Sequence, residues 1–433
     1  MCYRPIYSVT GNICETTFKG YHPGIYLSPN KILGVNMKTI IGVGIDCSKN
    51  KHVVCISDNM GNQCESVFTI HNKLKDVEYL AEKVLEVENK LGKADVVINM
   101  ESTGIYHLPL YSVISKIFKT NIYQPKQVKD MSSKNIRKSK TDKRDARTLS
   151  RIHLEIPPPQ TDYGDREMYD IREIIRQRFS YKDIRTNLKN KFRRNLSIVF
   201  PNFDTLFKNP YASVPWNLLK ICPTPEDVLR LGVQDISKIM EKASRGQKLR
   251  VTPQDLIKLT EESIRCDIMD RGALFGLKAL MEDIEYLDRR IKQIDNEIEI
   301  YWNKIKRTLY FPTFPGLDMV KAVALHTEYG GFRRFPHPDK AVAFAGLENM
   351  VYISGDSKNF NGRMTKAGSP IIRRVCWELL NTPVLNIPKI TAHMDKLKSK
   401  GKQRNIRVHS ASKKMIRTLW AMEHHEQVYV RET

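Results

Sequence analysis

The run Ile40-Ile41-Gly42-Val43-Gly44-Ile45-Asp46 constrains the fold of this chain more than any other stretch. An apolar segment that closes on an acid and is followed by Cys47-Ser48-Lys49-Asn50 reads as a buried strand with a carboxylate at its tip. Alone it is a weak signal, because many α/β proteins have such a strand. Three further acids give it weight. Glu101 stands in Glu101-Ser102-Thr103-Gly104-Ile105-Tyr106, and Asp142 and Asp145 in Lys140-Thr141-Asp142-Lys143-Arg144-Asp145-Ala146.

The surrounding pattern supplies a frame. Residues 39–46, 51–58 and 64–70 read as three short strands joined by tight turns, an antiparallel meander. Val77, Leu80, Val84, Leu85, Val87 and Leu91 predict a helix over 75–91. Val96 to Met100 is the next strand, with Glu101 at its tip. A helix through Leu110, Val113, Ile114 and Phe118 leads to a short fifth strand at 121–123. This is the element order of an α/β ribonuclease H-like fold, whose first and fourth strands lie side by side and parallel. Asp46 and Glu101 would then be close enough to share a metal. Asp142 and Asp145, three apart in a helix expected from Asp142 to Leu154, share one helix face. Four carboxylates forced together repel unless cations neutralise them. Mg²⁺ (or Mn²⁺) is hard and prefers oxygen ligands. Two such ions about 4 Å apart suit phosphodiester chemistry. The plainer alternative makes Asp142 and Asp145 a solvated helix start, where acids are favoured, and Glu101 a surface acid beside a glycine turn.

Charge narrows the partners. The 433 residues carry a net charge of +23, from 71 Lys and Arg against 48 Asp and Glu. Such an excess favours a polyanion, nucleic acid first and an anionic membrane surface second. No apolar run approaches the roughly 18 residues of a membrane span. The eight cysteines show no C-x-x-C pair and no zinc spacing, which suits reduced thiols in a cytosol. Lys134, Arg137, Lys138, Lys140, Lys143, Arg144, Arg147 and Arg151 surround the last two acids, as a phosphate backbone would require. Residues 1–36 lack both periodicity and a secretory pattern. The folded protein is expected to begin near Met37, after a non-native or disordered extension.

The rest reads as three further parts. Ile156-Pro157-Pro158-Pro159-Gln160 ends the first domain, 37–155. A helical, nucleic-acid-binding linker follows over 160–308. Its first helix, about 165–197, has an apolar stripe (Ile171, Ile175, Leu188, Phe192, Leu196) and a cationic face that includes Arg176, Arg185, Lys189 and Arg193. Residues 277–301 carry a heptad seam from Leu277 to Tyr301, a coiled-coil pattern that pairs either with the basic helix or with another subunit. A mainly α C-terminal domain, 309–395, opens on Phe314-Pro315-Gly316-Leu317-Asp318. This looks like a helix-hairpin-helix element that could hold a phosphate, though a plain turn is the simpler reading. Beyond it stand Ala345-Gly346-Leu347, a possible strand 350–353, Ser354-Gly355, Gly362, Lys366, Gly368 and Arg373, of which Lys366 and Arg373 are expected to contact nucleic acid. A serine before glycine at a strand end is usually just a turn. Residues 396–433 read as a basic tail, phosphate-contacting or disordered, with His424 and His425 on the surface.

Taken together, these motifs resemble the DEDD transposases of the insertion-sequence one-ten family. The likeness rests on Gly44-Ile45-Asp46, Glu101-x-Thr103-Gly104-x-Tyr106 and Lys140-Thr141-Asp142-x-x-Asp145-Ala146. It continues through Gly346-Leu347, Ser354-Gly355, Gly362-x-x-x-Lys366-x-Gly368 and Arg373, over about residues 37–385. The resemblance implies an N-terminal domain like resolvases of the RuvC type, a coiled-coil linker and a C-terminal transposase domain. It implies excision and insertion of the element's own DNA, joining donor and target under the guidance of a structured bridge RNA. It assigns Asp46, Glu101, Asp142 and Asp145 to the acidic tetrad and Ser354 to the nucleophile that forms a phosphoserine link. It also implies a homo-oligomer, dimer or tetramer, in which the acids of one subunit complete the site around the serine of another. One departure is Asn349, where the family often has proline two residues after Gly-Leu. Two other readings stay open: a Holliday-junction-type nuclease using the tetrad alone, with Ser354 structural, and a non-catalytic RNA-binding protein.

Overall fold

A computed structural model describes residues 39–102, 104–133, 141–157, 165–266, 268–350, 352–354, 357–359, 364–381 and 387–430. The expected N-terminal extension, Thr103, the cations from Lys134 to Lys140, Gly355 and Gly362 lie outside the described residues. The chain divides into two compact units, Met1–Tyr163 and Gly164–Thr433.

The first unit is built on one five-stranded sheet of order β3-β2-β1-β4-β5. Its strands are β1 (Ile40–Cys47), β2 (Lys51–Ser57), β3 (Phe68–His71), β4 (Asp95–Glu101) and β5 (Lys119–Tyr123). β1 pairs antiparallel with β2 and parallel with β4. The meander and the parallel first and fourth strands are therefore as the patterning predicts. β3 is shorter than expected. The tight turn closes on a Cys64 N–H to Ile56 carbonyl bond of 2.9 Å, and ladder pairing resumes only at Phe68.

The two faces of the sheet are covered differently. Ile41, Val43 and Ile45 of β1 pack with Ile98 and Met100 beneath α1 (Leu74–Leu91) and α2 (His107–Ile114). The opposite face meets α4 (Asp142–Glu155) and, through Val128 and Met131, α3 (Pro125–Ser133). The sequence reading missed α3. Its signals are a proline, pre-set for the first helical turn, and two apolar residues three apart.

The second unit is helical and has two cores joined by a long helix pair, α5 (Arg166–Val199) and α10 (Asp270–Ile305). Ion pairs Glu167–Lys304, Arg178–Asp295 and Arg185–Asp288 rise along one helix and fall along the other, so the two run antiparallel within one chain. At one end Phe192 and Leu196 pack with Leu277, Met281 and Ile284 and with α6 (Phe203–Leu206), α7 (Ser213–Ile221), α8 (Pro225–Ser244) and α9 (Pro253–Glu262). Thr224 and Thr252 cap α8 and α9, each followed by proline, which explains why short segments form helices there.

At the other end Ile171, Ile175, Phe179, Ile298 and Tyr301 enter the same core as α11 (Met319–Tyr329), α12 (Pro338–Phe344), α13 (Pro370–Leu380), α14 (Pro388–Ser399) and α15 (Arg404–His424). The expected boundary at 308/309 thus runs through a continuous core. The Pro-Gly element before α11 follows one 3₁₀ turn, Phe311–Thr313, and Asp318 caps α11 by accepting from the Lys321 N–H at 2.8 Å.

The stretch expected as a basic tail is mostly folded. Val408, Ala411, Met415, Ile416, Leu419 and Met422 recur at helical spacing on α15 and are buried. The cations of that stretch drew the reading away from this stripe. His424 stacks on Trp420, ring centroids 3.9 Å apart. β6 (Tyr352–Ser354) and β7 (Ser357–Asn359) form an antiparallel hairpin. Among the described residues no helix is long and apolar enough to cross a membrane.

Candidate active site

Two glycines bring α4 onto β1. A Cβ on Gly42 would lie 2.0 Å from the Ser150 carbonyl oxygen, and one on Gly44 would lie 2.1 Å from both the Ala146 carbonyl oxygen and the Ser150 nitrogen. Strand backbone and helix backbone therefore touch with no side chain between them. From Gly42 to Gly44 the strand advances about 6.6 Å. Over the same interval the contact retreats along α4 from Ser150 to Ala146, about 6 Å of helix. One more equal step reaches Asp46 on the strand and Asp142 on the helix, with Asp145 in the same turn. Asp46 shares the face of Gly42 and Gly44, because strand side chains alternate. On the neighbouring strand Met100 pairs with Ile45, so Glu101 comes level with Asp46. The backbone thus carries all four acids to one end of the sheet.

The electrostatics agree for the two strand acids. The Cys47 thiol is pushed up to about 12, first by burial and then by the charges of Asp46 and Glu101. Both carboxylates are half-buried, as is Asp145, while Asp142 is exposed. Among the described residues, no three His, Cys, Asp or Glu side chains group closely enough to hold a metal ion. Asp46, Glu101, Asp142 and Asp145, expected to share metal ions, stand at one end of the sheet without closing into such a group.

Sequence reasoning missed the polar residues beneath these acids. Asn99, Asn121 and His153 form a hydrogen-bonded set between sheet and helix. Its signal was an asparagine inside the apolar run Val96-Val97-Ile98-Asn99-Met100.

In the second unit, Ser354 ends β6, opposite Ser357 of β7. The base of this hairpin is firmly made. Asn349 bridges Met364, the Thr365 N–H donates to the Glu348 carbonyl at 2.8 Å, and the Lys366 N–H to the Gly346 carbonyl at 3.1 Å. Gly346, at φ +69°, crosses Gly368 backbone to backbone. A Cβ on Gly368 would lie 2.1 Å from the Phe344 carbonyl oxygen. Arg373 Nη1 donates to the carbonyls of Ala345 (3.0 Å) and Gly368 (2.7 Å). Three motif positions around Ser354 thus hold one loop crossing together, and Arg373, expected to meet nucleic acid, clamps that crossing. Lys366 is exposed.

The remaining cations divide. Lys143 is exposed and Arg144 half-buried, and Arg147 Nε donates to Gln63 Oε1 at 3.0 Å. Lys140 lies outside the described residues. Arg176 donates through Nε (2.7 Å) and Nη2 (3.1 Å) to Glu328, whose side chain is 2 % exposed, and through Nη1 to Glu173. Two carboxylates hold it in the fold, and its side chain stays 42 % exposed. Arg185 pairs with Asp288. Lys189 and Arg193 lie 4.3 and 5.5 Å from the ring centroid of Tyr211. Burial, and then Arg185 and Arg193, push the Lys189 ammonium below its ordinary range. This crowding of like charges suits a surface completed by an anion.

Comparison with known proteins bears on the whole arrangement. No curated protein matches the chain. A family model described as a transposase, of the DEDD type of IS110 elements, matches residues 43–201. A second, described as the transposase of the IS116/IS110/IS902 family, matches residues 310–393. The first match spans the strands and helix that carry the four acids, the second the loop crossing and hairpin that carry Ser354, and the chain belongs to the IS110 family of DNA transposases.

Proposed function

We propose that this transposase cuts and rejoins DNA with Ser354 as nucleophile and with Asp46, Glu101, Asp142 and Asp145 as the carboxylates that hold Mg²⁺ (or Mn²⁺). The observation that supports the reading is the close approach of α4 to β1 that Gly42 and Gly44 allow, with Asp142 and Asp145 in the first turn of that helix and Asp46 and Glu101 at neighbouring strand ends. When bound, such ions neutralise phosphate charge and favour the departing oxygen. The serine hydroxyl attacks phosphorus, a phosphoserine ester forms, and one sugar oxygen leaves and takes a proton. A hydroxyl is a poor nucleophile until a base accepts its proton, and the acids supply that base. Attack by a new sugar hydroxyl on the ester restores Ser354, so the phosphodiester energy is kept for rejoining.

The cationic face of the helix pair, through Lys189 and Arg193, serves a structured guide RNA in this reading, with donor and target DNA as the other partners. The heptad seam from Leu277 to Tyr301 makes that pair a coiled-coil arm, and the assembly is a homo-oligomer whose subunits share acids and serine. The Pro-Gly turn before α11 would add a helix-hairpin-helix contact to phosphate.

A strand-transfer assay with the full chain, guide RNA and supercoiled donor tests the assignment. Asp46→Ala and Ser354→Ala should each abolish recombinant product, and Ser354→Ala should also abolish the covalent protein–DNA adduct seen after denaturation. Recombination retained by Ser354→Ala would sink the serine mechanism. One observation favours a second reading, a nuclease using the acids alone. Gly346, Gly368 and Arg373 all have structural reasons to be there. In that case Ser354→Ala would cleave normally and form no adduct.

A further inference from the structure

Asn99 is fully buried at the centre of the sheet, beside Gly44 on β1 and Asn121 on β5. A buried amide has to find partners for both its ends. Asn99 Nδ2 donates to the Leu149 carbonyl of α4 at 3.1 Å and lies 3.1 Å from His153 Nδ1, while its Oδ1 accepts from Asn121 Nδ2 at 3.1 Å. The orientation is forced. A carbonyl oxygen only accepts, so the amide nitrogen must face Leu149. Its second hydrogen then points to His153 Nδ1, which has to be the unprotonated ring nitrogen. His153 is therefore neutral, with its proton on Nε2. Burial favours the same state by holding the imidazole below its ordinary range. The ring lies over Gly42, its Cε1 2.4 Å from where a Cβ would stand.

These contacts have a place in the site. Asn99 is two residues before Glu101 and on the same face of β4. Leu149 and His153 lie one and two turns beyond Asp145 on α4. The glycines let α4 approach β1 but offer no directional bond along it; from β2, Ser57 Oγ donates to the Ser150 carbonyl at 3.1 Å. A directional bond from the sheet to a helix carbonyl supplies the stop.

We propose that Asn99 is a positioning residue of the transposase site, forming with Asn121 and His153 a buried amide–imidazole relay that sets the axial register of α4 and so the separation of Asp142 and Asp145 from Asp46 and Glu101. The proposal rests on the reading of the four acids as a metal-binding set. Asn99 touches neither DNA nor ion. It acts by fixing where the helix acids stand.

The test is Mn²⁺ binding to the full chain without DNA, read as free Mn²⁺ by electron paramagnetic resonance. The variants are Asn99→Leu, His153→Leu, His153→Gln and, as reference, Asp46→Ala. Groups that orient metal ligands typically alter affinity by about 10- to 100-fold. Asn99→Leu and His153→Leu should raise half-saturation by that factor. His153→Gln offers a carbonyl that accepts from Asn99 and should stay near the parent. A general packing role would weaken both His153 variants alike, and that result overturns the relay. Parent-like binding by Asn99→Leu, with Asp46→Ala inactive in binding, overturns the positioning role alone. Unchanged binding by Asp46→Ala instead overturns the acid-tetrad reading. Should Asn99→Leu fail to fold, the His153 pair, further from the sheet centre, still decides.

Discussion

Gly44 shows how little room the site leaves at the scale of one residue. A methyl group there would stand 2.1 Å from a helix carbonyl oxygen, an atom of the backbone that no rotamer change can move. Gly44→Ala should therefore lift α4 off the strand. Overpacking of this kind costs about 1–3 kcal/mol and sometimes more, and here it should also separate the acids. Expected results are a lowered unfolding midpoint and loss of DNA cleavage, with DNA binding retained. Gly272, on α10, has nothing within 4 Å of its Cβ position. Gly272→Ala should be neutral or stabilising by up to about 1 kcal/mol, which makes it the control.

At the scale of elements, charge on α5 does two kinds of work, and only one of them resembles nucleic-acid binding. Arg176→Met should leave the carboxylate of Glu328 buried without its partner. Breaking such a pair costs about 3–5 kcal/mol when both groups are buried, and since Arg176 is itself part-exposed, about 3 kcal/mol is expected in urea denaturation. The salt dependence of nucleic-acid binding should not change. Lys189 or Arg193 variants should show the converse, parent-like stability with a shallower salt slope. The sequence alone could not separate these roles, because Glu328 lies 152 residues from Arg176 and pairing across that distance leaves no local mark. What was legible was periodic: the strand ending at Asp46, the helix beginning at Asp142, and the long helices α5 and α10. Short or cation-rich elements were not. α3 buries only two apolar residues with Val128 and Met131, and α15 hides its apolar stripe among lysines and arginines. The acids could be read by their order along the chain. The relay at Asn99 could not, since one asparagine in a strand gives no hint of its partners.

For the whole molecule, burial of titratable groups sets a window of stability. His52, His107, His153, His326, His393 and His409 are all held below the ordinary value of 6.5, chiefly by burial. Below 6.5 the unfolded chain takes up protons that the folded chain refuses, so stability falls as pH falls. Cys47, Cys222 and Cys376 are raised from 9.0 to about 12. Above 9.0 the unfolded chain gives up protons that the folded chain keeps, so stability falls again as pH rises. Denaturation midpoints at about pH 5.5, 7.5 and 9.5 should be highest at the middle value. A midpoint still rising at the alkaline end would contradict this account of the thiols.

The pinned base of the Ser354 hairpin has a consequence of reach. Ser354 is five residues beyond Asn349, whose bridge to Met364 sits on the clamped loop crossing. Even a fully extended chain carries its Cα no more than about 17 Å from that of Asn349. The serine is thus confined to a small sphere around that crossing. Any group that reacts with Ser354 must therefore be brought within that sphere, because the pinned base leaves the serine no longer reach.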